Sequence, residues 1–60
     1  MDREDFEKML EIEANRRNLD GSAKDGFIKE NIDYVLYRSY GHWSEEDATA
    51  RIGYLEQEKV

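Results

Sequence analysis

A chain of 60 residues makes one small domain, which buries only about 60% of the surface its unfolded form exposes, so its stability margin is thin. It has no cysteine, which excludes disulfides and thiolate zinc centres and fits a reducing, cytoplasmic setting. A net charge of −6 disfavours direct binding to nucleic acid or to an anionic membrane, since both need a basic face.

The opening residues, Met1-Asp2-Arg3-Glu4-Asp5, are acidic and lead into no apolar run, so neither a signal peptide nor a membrane span is expected. Charge is uneven along the chain: residues 1–15 sum to −4, residues 16–40 to +1 and residues 41–60 to −3. Charged residues make up 40% of the chain. Even so, large apolar residues at regular spacing and the absence of proline argue for a folded domain.

The first helix is expected over residues 3–18. Asp2 is its N-cap, acids fill the first turn, and Arg16 and Arg17 sit near the end, as the helix dipole favours. Phe6, Met9, Leu10 and Ala14 form one apolar stripe, from which Ile12 is absent. The run Asn18-Leu19-Asp20-Gly21 closes the helix, with Gly21 free to take a positive φ.

The second helix is expected over residues 23–40. Ser22 and Asp25 have capping-box spacing, and Gly26 weakens the first turn enough that the start could fall nearer Phe27. Ile28, Ile32, Val35, Leu36 and Tyr40 make a continuous stripe with Phe27 beside it. Gly41 stops this helix.

The third helix is expected over residues 45–59. Ser44 and Asp47 form a second capping box, and Trp43 and Ala48 have the spacing of a hydrophobic staple. Ala48, Ile52 and Leu55 supply the stripe, interrupted by Gly53. Short loops then fold the three segments into an all-α three-helix bundle spanning residues 1–60. Its expected core is Phe6, Met9, Leu10, Ile28, Ile32, Val35, Leu36, Trp43, Ile52 and Leu55.

Little in the chain points to catalysis. His42 stands near Ser39 and Ser44, but Ser44 is engaged as a cap and three helices of this length seldom enclose a pocket. One histidine beside Glu45, Glu46 and Asp47 is a poor metal set. A calcium loop starting at Asp20 fails, because Lys24 stands at its fifth position and Asn31 at its twelfth. The second and third helices have a helix-turn-helix outline, yet Glu45, Glu46 and Asp47 would meet phosphates. No enzyme activity, cofactor or metal is expected.

Aromatic residues are the stronger signal. Four tyrosines, one tryptophan and two phenylalanines are many for this length. Tyr34 and Tyr37 flank the stripe of the second helix, whose apolar surface is wider than two short helices cover. Tyr34, Tyr37, Arg38 and Tyr54 have the composition of an interaction hot spot, or else they pad a thin core with their rings. The expected role is a small, acidic, non-enzymatic protein-binding module, an inhibitor or adaptor, with a homodimer or a bound partner covering the second helix. The alternative is an acidic nucleic-acid mimic that presents Glu4, Glu7 and Glu11, and a purely structural dimer is the third reading.

Overall fold

The computed structural model describes residues 1–58. Within them lie α1 (Arg3–Arg16), α2 (Gly21–Arg38) and α3 (Glu45–Gln57), each packed against the other two. The described residues contain no strand, and none of their helices is long and apolar enough to cross a membrane. The last expected position of the third helix, residue 59, lies outside the described residues.

Two helix starts form as their local sequence requires. The Asp2 carboxylate accepts from the Asp5 backbone N–H at 2.8 Å, and the Ser44 hydroxyl accepts from that of Asp47 at 3.2 Å. Each satisfies a donor with no partner inside the helix. Trp43 precedes the Ser44 cap and packs on the core that contains Ala48, as the staple spacing requires. Its ring meets Phe6 edge-on at 5.3 Å, and its indole N–H donates to the Met1 carbonyl at 3.1 Å.

The start of α2 differs from expectation. It begins at Gly21, ahead of both Ser22 and Phe27, and its N-cap, Asp20, makes no side-chain cap bond. The Ser22–Asp25 capping box does not form, because Ser22 already lies inside the first turn. Gly21, with φ of +54°, turns the chain into the helix early, and the Asp20 carbonyl accepts from Ala23 and Lys24. The penalty at Gly26 does not displace this start, since propensity is a weak term beside continued helix packing.

Both interhelical turns use a residue other than the expected glycine to leave the helix. Asn18 has φ of +58°, with Asn18 N–H to Asn15 O at 3.0 Å and Leu19 N–H to Ala14 O at 3.0 Å. Tyr40 has φ of +57°, with its N–H to Tyr37 O and Gly41 N–H to Leu36 O at 2.8 Å. These paired bonds are Schellman closures, which put the left-handed residue one position past the cap. Gly21 and Gly41 do have positive φ, but each follows the stop by one or more residues. Asn18 ends α1 two residues before the expected limit, and Tyr40 lies beyond α2 as an exposed residue, outside the apolar stripe.

The core forms from Phe6, Leu10, Ile32, Val35, Ala48, Ile52 and Leu55. Fully burying side chains such as Phe6, Leu10 and Val35 contributes on the order of 1.5–3 kcal/mol each. Met9, Ile28, Leu36 and Trp43 pack around its edge half-buried, and Ile12 points outward.

Glu13 is also buried, at 2% exposure. Its position continues the Phe6–Met9–Leu10 spacing, so the helix carries a carboxylate into the core face. Arg16 grips both its oxygens at 2.8 and 2.9 Å, and Arg17 donates to one at 2.9 Å. Arg17 also reaches the Leu55 carbonyl and Glu58 of the α3 end, each at 3.1 Å, and lies 5.2 Å from the centre of the Phe27 ring. One guanidinium thus ties α1, α2 and the end of α3 together. Burial alone would raise the Glu13 carboxyl, but hydrogen bonds and charge from Arg17 and Arg16 outweigh it and hold it below the ordinary range.

Candidate functional site

Helix α2 carries Asn31, Tyr34 and Arg38 along one side, three and four residues apart, and so within reach of one another. Helix α3 brings Asp47, Ala50, Arg51 and Tyr54 to face them. Tyr34, Arg38, Asp47, Ala50, Arg51 and Tyr54 line a shallow groove of about 380 Å³ between these helices.

Arg51 is the centre of this groove. Its guanidinium lies 4.3 Å from the centre of the Tyr34 ring and 4.9 Å from that of Tyr54. The Arg51 Nε–H donates to Asn31 Oδ1 at 2.8 Å, and Asn31 Nδ2 donates to the Phe27 carbonyl at 2.8 Å. Asn31 is buried, so the amide is a fixed support rather than a mobile surface contact. Two ring faces and one amide hold the planar ion in place. Its remaining N–H groups donate to no protein acceptor among the described residues.

Of the four expected binding residues, Tyr34, Arg38 and Tyr54 meet in this groove. Tyr37 does not join them. It lines a neighbouring depression with Leu36, Arg38, Tyr40 and Gly41, and Arg38 is the residue shared by both. Tyr37 is 81% exposed and Tyr40 93%, whereas Tyr34 and Tyr54 stand about half out of water against Arg51. The core-padding role therefore fits neither Tyr37 nor Tyr40.

Of the groove's lining, Asp47, Ala50 and Arg51 were not expected from the sequence, nor was Asn31, which braces Arg51. Asn31 with Tyr34, and Arg51 with Tyr54, are each three residues apart on one helix. That spacing was a legible sign of two complementary faces. Their meeting depends on how α2 crosses α3, which no local pattern encodes.

The acidic stretch of α1 is exposed at Glu4, Glu7 and Glu11. Lys8 lies 3.7 Å from Glu4, and Arg3 lies 3.5 Å from Glu7, each one helical turn away. Both pairs are well exposed and worth well under about 1 kcal/mol, but they divide the negative field of this side. Ser39 is drawn into the turn, its hydroxyl lying between the carbonyls of Val35 and His42. His42 is exposed, and no group of three potential metal ligands gathers among the described residues.

No protein-family model matches this chain, and neither a curated protein nor a solved structure matches it.

Proposed function

We propose that the protein is a small, non-enzymatic protein-binding module, acting as an inhibitor or adaptor of a larger protein in the cytoplasm. The observation that supports this most is Arg51, held between Tyr34 and Tyr54 and braced by buried Asn31 at an otherwise open surface. Tyrosine and arginine are enriched in binding hot spots: tyrosine offers large contact area with little rotamer freedom to lose, and arginine adds charge-assisted hydrogen bonds. Here the freedom of the Arg51 side chain is already reduced before a partner arrives. Tyr37 and Tyr40 extend the surface beyond Arg38.

The nucleic-acid-mimic reading has weaker support. A mimic needs a continuous acidic face, and Lys8 and Arg3 interrupt the one formed by Glu4, Glu7 and Glu11. Self-association through α2 is the other way to cover the tyrosines. Sedimentation over a wide concentration range separates it from binding to a different protein, since a homodimer gains stability with its own concentration.

Partner capture from host cells tests the proposal, using wild type, Tyr37→Ala and the triple reversal Glu4→Lys, Glu7→Lys, Glu11→Lys, each at low and high salt. Truncating a hot-spot tyrosine should weaken capture by at least 2 kcal/mol, about thirty-fold. The triple reversal should mainly slow association at low salt. The opposite ranking, with steep salt dependence in wild type, would replace this function with mimicry.

A further inference from the structure

The groove around Arg51 gathers two arginines that pair with no carboxylate among the described residues. The whole chain carries −6. Among the described residues, Arg3, Lys8, Arg16, Arg17 and Lys29 each pair with a carboxylate of the same chain, and Lys24 bonds Asn15. Among the described residues Arg38 and Arg51 pair with no carboxylate, although the chain carries fifteen acids, and both line this groove. Asp47 lines it too, and it forms no ion pair with either arginine.

We infer that the groove recognises a carboxylate on a partner's peptide segment, an Asp or Glu side chain set among neutral residues. This deepens the protein-binding reading proposed above and rests on it. A guanidinium presents its N–H groups in a planar fork that matches two carboxylate oxygens. Arg51 is already fixed through its Nε and both ring faces, so its open end is pre-oriented for that contact. Arg38, one turn from Tyr34 on the same helix, supplies the second cation.

Asp47 provides an acceptor beside the two cations, suited to a backbone N–H or hydroxyl of the same segment. The Tyr34 and Tyr54 rings leave apolar edges for the neighbouring side chains. The net −6 repels a ligand dense in negative charge at long range, which argues against nucleic acid and for a single carboxylate.

The test follows the side-chain Nε–Hε signals of Arg38 and Arg51 and the Ala50 amide by NMR. The probe is a capped tripeptide with a central glutamate between two leucines. Its glutamine counterpart and inorganic phosphate are the comparison arms. The glutamate peptide should shift these signals saturably and bind about tenfold more tightly than the glutamine peptide. Arg38→Gln, at an exposed position, and Arg51→Lys should each remove about that same factor, with melting curves confirming that both variants fold.

Equal shifts from the glutamine peptide, or none from either, overturn the assignment. Tighter binding of phosphate makes the groove a phosphate site and also overturns it. The same signals moving with protein concentration alone would assign the groove to a second copy of the chain. The parent reading fails separately: capture that survives Tyr37→Ala but is abolished by the triple charge reversal, with steep salt dependence, replaces the binding module with mimicry. Capture lost in Tyr37→Ala, but intact in Arg38→Gln and Arg51→Lys, sinks only the carboxylate groove.

Discussion

Arg17 and Arg51 both lie against aromatic rings, and both bond a group supplied by a different helix. Arg17 directs its two terminal nitrogens to Glu13, Glu58 and the carbonyls of Glu13 and Leu55. Among the described residues Arg51 donates through Nε alone, to Asn31, and it lines a groove. The first is a clip whose terminal nitrogens are both engaged, and it closes the bundle. The second is immobilised but unsaturated. The difference teaches that fixing a charged side chain and satisfying it are separate matters, and that a site appears where the first happens without the second.

Breaking the clip should have the largest effect. Arg17→Ala leaves buried Glu13 with Arg16 alone, and it also removes the contact to the end of α3. The expected loss is on the order of 2–3 kcal/mol, lowering the melting midpoint by about 10–20 °C in a domain this small. An unchanged midpoint would make Arg17 an ordinary surface residue and dissolve the contrast.

Acid acts on the same clip. The folded Glu13 carboxyl titrates below its unfolded value near 4.5, so its stabilising contribution is complete above about that pH. It is lost as the pH falls through the lower, folded value. Urea melts from pH 7 downward should therefore show the stability gap between wild type and Glu13→Gln closing only below about pH 4.5. A gap independent of pH would mean that Arg16 and Arg17 do not stabilise the ionised form.

Arg51→Ala should destabilise less, by about 1–2 kcal/mol, mainly because the Asn31 carbonyl oxygen loses its partner. Chemical denaturation of the two arginine variants side by side measures the contrast directly. A loss at Arg51 equal to that at Arg17 would make the clamp a structural element first and a binding element second.

The smallest expected effect has the opposite sign. Tyr40 sits in the left-handed region with its side chain 93% exposed, a conformation that disfavours any residue with a Cβ. Tyr40→Gly should raise stability by about 0.5–1 kcal/mol. If it also weakens partner capture, the strain at this turn accompanies an aromatic used in binding. No gain in the melting midpoint would show that the Tyr40 ring is held by contacts that offset the backbone cost.

How much was legible in the chain depends on the distance over which each feature is decided. Asp2 and Ser44 cap their helices through residues three positions away, and the stripe from Phe6 to Ala14 is a local periodicity, so the sequence alone determined them. The all-α bundle follows from those signals, because short turns leave apolar stripes little choice but to meet. The stops were less legible. Several residues around each turn are able to accept a positive φ, and the stops fell on Asn18 and Tyr40 rather than on the nearby glycines.

Glu13 lay at a stripe position in plain view, with Arg16 and Arg17 three and four residues on to pair with it, but that Arg17 also reaches Leu55, 38 residues away, was decided by how α3 packs. The groove belongs wholly to tertiary structure. Asn31 and Arg51 are 20 residues apart, on helices whose relative rotation depends on side-chain packing in the core. Local hydrogen bonds set where helices begin. Only the packed bundle decided that Arg38 and Arg51 would meet in one groove.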